Sequence, residues 1–598
     1  MTAESDNAGF GRLVVFTWLG LAFLLVLKAA QTPGGLILSP DDAMRLVQVR
    51  DLLHGQSWFD TTQWRMNAPY GLPMHWSRLV DAGIAGLLLL FRLFTNPKTA
   101  EAWALYVWPL LPLLPVLFAL THIAQRLTGR MGALFTLALG ASCVAAMTPF
   151  KPGNIDHHNV QLALGLSFAA FLIDIDRSRR AGIFAGAMAA LSLAVGLETL
   201  PYVLVALMAL AVWWTFGPRI AGNVAAFGAT FGGANLLLLT CATASVYRFS
   251  AACDTFSGFY AALGVLTGVG IIVLTGLGVV NTPLRRAAGA AGLCILVLAV
   301  AALIGPACLH GPYVAVDARL GSIWLSGVAE DQSPFTMGLM APGDFVGGYV
   351  YCALAAAAAL AAIFLLPVRH RASMAVLGAI ALTAFAIASA QMRGIAFALL
   401  FATPGVVVVA TWALERVRLG RTASMLATFA AVLVSSDATY AMVGQQIQKS
   451  LPAAQQYTPV QQIWMQGCTA PKAFRELARL PQSRVATFVD MGPMVLAYTP
   501  HATIAGPYHR NAAGILDTYS IFAGSAAEQR ATLKRRAVDY VVICSPAPDY
   551  KEWGAMAQPD SLLRADAHGQ IERWLEPLAN EPKGGAIRIF RVRRESLD

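Results

Sequence analysis

The chain reads as long apolar runs separated by short polar breaks. After a polar start containing Arg12, Leu13 to Ala30 forms one unbroken apolar run. It is long for a signal-peptide core and no small-residue cleavage site follows, so it is read as a first span with its N-terminus inside. Residues 31–81 are polar and aromatic and form a first outer loop. Further apolar runs lie near 100–124, 131–149, 159–174, 181–197, 199–217, 220–245, 260–281, 287–305, 343–366, 372–390, 394–412 and 421–445. With the first they make about 13 spans, each near the ~20 residues that a bilayer needs. Residues 82–95 are apolar but short, and read as an interfacial helix.

Charge tests this order of spans. Arg126 and Arg130, Arg177, Arg179 and Arg180, Arg219, Arg285 and Arg286, Arg369 and Arg371, and Arg416, Arg418 and Arg421 all fall on one side. That side is the cytoplasm by the positive-inside rule. An odd number of spans then puts the C-terminus outside, in the periplasm of a bacterial inner membrane. The pattern changes after residue 445. Residues 446–598 have ordinary soluble composition, with β-rich runs at Arg484–Asp490, Ala502–Ala505, Tyr540–Cys544 and Ala586–Val592 and a helical segment at Glu528–Ala537. The expected architecture is a polytopic α-helical membrane domain, 1–445, with outer loops 31–81 and 306–342, followed by an extracytoplasmic α/β domain, 446–598.

Composition agrees. Hydrophobic residues make up 57% of the 598 and charged residues 13%, about half the charge of a soluble protein. The net charge of +10 is accounted for by the inside arginines. No basic stretch is interleaved with stacking aromatics, which excludes nucleic acid as a partner. Of the eight cysteines, Cys143, Cys241, Cys294 and Cys352 sit in apolar runs and read as small buried hydrophobes. Cys253, Cys308, Cys468 and Cys544 sit in polar segments, where an oxidising compartment allows disulfides.

Four polar clusters fall at the outer edge. Ser39-Pro40-Asp41-Asp42 opens a helical stretch with Arg50-Asp51 further on, and a helix N-cap is its plain reading. Asn154-Ile155-Asp156-His157-His158-Asn159 fills a short turn between spans, where ionisable groups are costly and a carboxylate with an imidazole can hold a divalent cation. Gly327 to Pro334 carries Glu330 and Asp331 in the outer loop 306–342. Arg393 stands alone in a tight outer turn, against the charge bias, where a bidentate phosphate contact or an ion pair would account for it. Carboxylates, a histidine and an arginine on one face are what a departing lipid-linked phosphate requires.

Here the sequence resembles the GT-C glycosyltransferases, and among them the catalytic subunit of oligosaccharyltransferases. Asp41-Asp42 followed by Arg50-Asp51 is similar to the family's first-loop aspartate motif. Asp156-His157-His158 is similar to its second acidic motif in the form Asp-x-His. Gly327-Val328-Ala329-Glu330-Asp331-Gln332 is similar to its SVSEHQ loop, and Arg393 to its phosphate-binding arginine. The fifth motif departs. Phe488-Val489-Asp490-Met491-Gly492 stands where the family has WWDYG, without the aromatics that recognise the Asn-x-Ser/Thr acceptor.

The resemblance implies an inverting, metal-dependent transferase. It would move a sugar from a polyprenyl phosphate or diphosphate to an extracytoplasmic glycolipid, polysaccharide or protein. Asp41, Asp156 and His158 would hold Mg²⁺ or Mn²⁺, with Asp42 the alternate to Asp41. Asp41, Asp42 or Glu330 would act on the acceptor, and Arg393 would hold the donor phosphate. Contacts to the acceptor are expected from His75, Trp76 and Arg78 in the first loop and from Asp490, Tyr508, His509 and Arg510 in the C-terminal domain. Glu198 is expected beside the site, and the chain is expected to be a monomer. The reading from another class is a transporter or flippase of lipid-linked sugars, which would show repeats and mid-membrane charges; neither is present in the sequence.

Overall fold

The computed structural model describes residues 2–31, 36–142, 147–277, 280–314, 316–336, 343, 345–417, 420–451, 465–578 and 586–597. Among these, nine helices are long and apolar enough to cross a membrane, or ten if the bent pair Thr422–Val434 and Asp437–Ser450 is one span. The difference from about 13 has physical causes. The stretch Pro97–Ser142 counts once at 46 residues, yet at ~1.5 Å per residue it would be about 69 Å long, more than twice a bilayer core. It is made of α4 (Pro97–Val107) and α5 (Leu110–Ser142), and α5 breaks at Gly129, whose φ of 70° favours a residue without a side chain. Arg126 and Arg130 flank that break. The helices α6 (His158–Ile173) and α7 (Arg179–Val195) have only 16 and 17 residues. They are sheathed by neighbours: Gly182 and Gly186 of α7 lie directly against the backbone of α9 (Ala221–Cys241), where an added Cβ would meet Asn223 O at 2.2 Å and Phe227 O at 2.5 Å.

The interfacial reading of 82–95 corresponds to α3 (Arg78–Arg92), which is not among the spans. Its Val80, Ile84 and Leu88 are buried, while Leu89, Leu90 and the following Phe94 are exposed. Such a helix floats its apolar face in the interface.

The C-terminal domain holds a five-stranded sheet in the order β4-β3-β5-β7-β6, made of Arg484–Ala486 (β3), Ala502–Thr503 (β4), Tyr540–Cys544 (β5), Leu575–Pro577 (β6) and Ile587–Val592 (β7). β3 runs parallel to β4 and β5, and β7 antiparallel to β5 and β6. The strands coincide with the expected β-rich runs, to which β6 is an addition. Every residue of β5 is buried, as a central strand covered on both faces requires.

One hydrophobic core unites this domain with the first outer loop: Met44, Val47, Met66, Met74 and Trp76 pack with Phe488, Met494, Ile504 and Tyr508. The loop also extends the sheet edge, since Ala68 N donates to Thr503 O at 3.0 Å and Thr503 N to Arg65 O at 2.8 Å. A separate core fills the helix bundle. At the same end of the bundle, Trp553 Nε1 reaches Ile323 O (2.8 Å) and Arg510 pairs with Asp254 (2.5 Å). At the other end Arg126 pairs with Asp174 and Asp176, each at 3.1 Å. The first loop, the turn at 154–158 and the C-terminal domain therefore share one end, and the arginine-rich turns the other.

Both cysteine pairs in polar segments are bridged, Cys253 to Cys308 and Cys468 to Cys544. Cys352 is buried as expected, but Cys241 and Cys294 are exposed, which corrects their reading as buried. Cys143 and Arg418 lie outside the described residues, as do residues 337–342 of the outer loop and 452–464 at the domain junction.

Candidate functional site

The helix α2 (Pro40–Leu53) starts at an N-cap built by Ser39, with Pro40 preset for its first turn. Asp42 closes the capping box. Its Oδ2 accepts from Ser39 Oγ at 2.6 Å, and its Oδ1 accepts from Ile155 N at 2.7 Å and Asp156 N at 3.0 Å. Both oxygens are thus committed to clamping α2 onto the 154–158 turn. Asp42 is a structural joint, which corrects the expectation that it could act on substrate. Burial pushes its carboxyl up to about 6. Among the described residues Asp41 makes no such bonds. Burial, then the charges of Asp156, Glu330 and Asp42, hold its carboxyl well above the usual range.

Asp156 is buried and meets three cations or potential cations. Arg45 Nη2 lies 3.2 Å from its Oδ1, His157 Nδ1 at 2.6 Å, and His158 Nε2 at 3.5 Å from its Oδ2. Burial alone would raise this carboxyl, but His157, His158 and Arg45 outweigh it and hold it well below the usual range. His157 is bracketed, with Nδ1 on Asp156 and Nε2 3.3 Å from Glu198. Burial opposes its charge, yet these two carboxylates push it up to about 10. His158 is different. The side-chain carbonyl of Gln161 lies 3.2 Å from its Nδ1, which leaves Nε2 and its lone pair turned toward Asp156. One ligand atom from each of Asp156, His157 and His158 lies within 4.8 Å of the others. A hydrogen bond to the far ring nitrogen is the usual support of a metal-binding imidazole, so His158 and Asp156 fit a cation, while His157 is locked between carboxylates.

Arg45 escaped the sequence reading. It sits one turn after Asp41 on α2, wholly buried, and ties Asp156 to Asp81 (2.9 Å) while its guanidinium covers the Trp76 ring at 4.4 Å. The signal was its spacing from Asp41 on a helix face. Arg78 completes the network. It bonds Asp81 (3.0 Å), Gln48 O (3.3 Å), Gln56 (2.8 Å) and Asp60 O, and is 1% exposed. It holds the first loop together and has no face for an acceptor, contrary to expectation.

A cavity of about 370 Å³ runs between these groups and the bundle, lined by His75, Trp76, His157, His158, Glu198, Tyr313, Arg393 and His509. Arg393 is not the isolated cation of the sequence. Its Nη2 lies 3.3 Å from Asp331 and its Nη1 3.2 Å from Tyr313 Oη, while Asp331 also accepts from Gln391 at 2.6 Å. Its Nε is buried without a partner among the described residues. Glu330 is exposed beside this turn, close enough for its charge to act on Asp41, Arg393 and Asp490.

The C-terminal domain closes the opposite wall. Tyr508 stands edge-on to Trp76, with ring centroids 5.5 Å apart, and its hydroxyl donates to Pro40 O. Burial, and then Asp41, Asp156 and Asp490, keep that hydroxyl protonated. Asp490 lies on the turn Val489–Met491 and is pushed up to about 6 by burial and by Glu330 and Glu552. In the position of the missing aromatics, Phe488 faces inward and stacks on Phe522 at 4.7 Å. Arg510 grips Asp254 through Nε (2.6 Å) and Nη2 (2.5 Å) and also bonds Tyr247. Its planar fork is spent on the protein, so the guanidinium is a wall strut rather than a substrate contact.

No family model and no curated protein matches the sequence. Solved structures do match in shape. The apo oligosaccharyltransferase of Archaeoglobus fulgidus superposes with a TM-score of 0.66 and 14% identity, over 95% of this chain and 72% of that one. The same enzyme in complex with Zn and sulfate gives 0.62 and 14%, over 93% and 70%. The archaeal oligosaccharyltransferase AglB of that organism, in complex with an inhibitory peptide and a dolichol-phosphate, gives 0.61 and 13%, over 96% and 74%. The chain therefore has the GT-C fold of the oligosaccharyltransferases, a polytopic helical membrane domain carrying a C-terminal α/β domain.

Proposed function

We propose that this protein is an inverting membrane glycosyltransferase of the bacterial inner membrane, with its C-terminal domain in the periplasm. It moves a sugar from a polyprenyl phosphate or diphosphate to an extracytoplasmic glycolipid, polysaccharide or protein. One observation carries this reading: His158, which faces Asp156, and Arg393, whose Nε has no partner among the described residues, line a single cavity between the bundle and the C-terminal domain, with Asp41 close enough to Asp156 for their charges to act on each other. Two solved relatives in fold, with Zn and sulfate and with a dolichol-phosphate bound, support ligands of this kind.

The residues fit a divalent cation, since Gln161 leaves the Nε2 of His158 toward Asp156 and, among the described residues, no hydrogen bond engages the carboxylate of Asp41. Asp41, Asp156 and His158 would hold Mg²⁺ or Mn²⁺, whose charge offsets that of the departing phosphate. Arg393 supplies directed N–H groups to the phosphate oxygens. Arg45 and His157 fix Asp156 from behind. Asp41, whose carboxyl burial and neighbouring acids hold well above the usual range, takes the proton from the acceptor nucleophile. Glu330 orients the acceptor from the outer side.

The test uses the full chain in nanodiscs with a polyprenyl-linked sugar and membrane or periplasmic acceptors. Donor should be consumed and an α/β-inverted product formed, and chelation of divalent ions should stop it. Asp156→Ala should lower transfer by at least about 10²-fold, and because it also strips Arg45 and His157 of a buried partner, Asp156→Asn, which keeps the size and a hydrogen-bonding oxygen, separates lost chemistry from lost stability. Movement of intact donor across the bilayer with no sugar released would establish the flippase instead. Full activity after exhaustive chelation would remove the metal from the mechanism.

A further inference from the structure

A second group of ligating side chains lies across the same cavity, apart from Asp41, Asp156 and His158. His75 comes from the first outer loop, Asp254 from the segment between α9 and α10 (Gly258–Gly276), and His509 from the C-terminal domain. One ligand atom from each lies within 4.8 Å of the other two. The two imidazoles face each other with centroids 4.8 Å apart, and His509 Nε2 lies 2.5 Å from Asp254 Oδ2.

An ion pair of Asp254 with Arg510 accounts for only part of this. Among the described residues it leaves the Nδ1 of His75 buried with no hydrogen-bond partner. It also leaves two imidazoles crowded against one carboxylate. A buried polar nitrogen without a partner is costly, and the packing of Trp76 on Tyr508, which draws His75 and His509 together, does not supply one. Two imidazoles and a carboxylate converging on one point are, however, a familiar ligand set for a borderline transition ion. Around a cation with bonds of about 2.1 Å, ligand atoms stand about 3.0–3.5 Å apart, so the three need draw in by only about 1 Å.

The surroundings hold these ligands in place. Asp254 follows Cys253, which the disulfide to Cys308 pins to the outer loop. Arg510 fixes the carboxylate from behind (2.5 and 2.6 Å), and Thr255 Oγ1 donates to His75 O at 2.7 Å. Tyr313 stands edge-on to His509 with centroids 5.2 Å apart. We infer that His75, Asp254 and His509 form a second divalent-cation site, of Zn²⁺ or Mn²⁺ class, that staples the C-terminal domain to the membrane loops above the cavity.

The experiment is metal binding by the full chain in nanodiscs, independent of any transfer assay. Protein stripped with chelator and reloaded with Zn²⁺ should hold two equivalents by elemental analysis. His509→Ala and His75→Gln should each hold one, Asp156→Ala should hold one, and the Asp156→Ala/His509→Ala pair none. Loaded with Co²⁺, Asp156→Ala should keep a visible d–d band that His75→Gln added to it removes. His75→Gln keeps a polar side chain of similar reach, so a folding defect in His509→Ala does not block the test. Two equivalents retained in both histidine variants, or one equivalent in the wild type that Asp156→Ala alone removes, would overturn the second site. A cobalt band in Asp156→Ala from a chain that transfers no sugar in its wild-type form supports the site and sinks the glycosyltransferase reading alone.

Discussion

Arg393 shows how a single side chain divides between structure and chemistry. Two of its nitrogens are satisfied by Asp331 and Tyr313, and only Nε is left over. A phosphate arriving in the cavity competes with Asp331 for the guanidinium. Lysine keeps the charge but loses the fork, so Arg393→Lys should weaken donor use only in part. Arg393→Ala should lose a charge-assisted contact of roughly 1.5–3 kcal/mol, about ten- to a hundredfold in donor affinity or rate. Acceptor dependence should hardly move. Donor-dependent kinetics on the three proteins check this, and a lowered melting temperature with unchanged donor dependence would reduce Arg393 to a partner of Asp331.

Asp490 yields a pH prediction. Its folded carboxyl sits at about 6 against 3.8 in the free side chain, so the folded state binds its proton more tightly than the unfolded one. The resulting cost is absent below about pH 4, grows as pH rises through the window to 6, and is complete above it. Asp490→Asn should therefore stabilise the protein near pH 8 by about 1–3 kcal/mol and leave it unchanged near pH 4. Thermal melts of both proteins at the two pH values decide it. An equal effect at both would show that Asp490 is not titrating in this window.

Among the elements, the turn that replaces the aromatic motif is held by close backbone packing. Gly492 opens the helix Gly492–Tyr498, and a Cβ there would lie 1.8 Å from Ala505 O. Backbone cannot yield as a flexible side chain does, so Gly492→Ala should cost about 1–3 kcal/mol or more. Because that helix packs on α2, which carries Asp41, transfer should fall along with stability. A chemical-denaturation midpoint equal to that of the wild type would show that the turn relaxes freely. The helix α2 itself depends on the capping box of Ser39 and Asp42, and its first turn carries Asp41 to the side of Asp156.

For the molecule as a whole, the acceptor is where the fold and the sequence part. The shape is that of oligosaccharyltransferases, yet Phe488, in the position of the missing aromatics, points into the domain core and stacks on Phe522. A peptide carrying Asn-x-Ser/Thr, incubated with donor and enzyme, should give no glycopeptide. Efficient glycopeptide formation would show that other residues took over the lost recognition.

Much of this protein is determined locally. Run length gives the apolar helices, arginine placement separates the two ends of the bundle, and short β-rich runs give β3, β4, β5 and β7. The clusters around Asp41, Asp156, Glu330 and Arg393 were legible because charge near a membrane edge needs a reason. Tertiary structure decided the rest. That Asp42 is a clamp and Asp41 the free acid depends on Ile155 and Asp156, more than a hundred residues away. That Arg78 and Arg510 are struts depends on Asp81 and Asp254, and Arg45 gains its role only when α2 meets the 154–158 turn. Hydrophobic and charge patterns report the local solvent of each segment, whereas hydrogen bonds between distant segments are specified only when folding brings their atoms within about 3 Å.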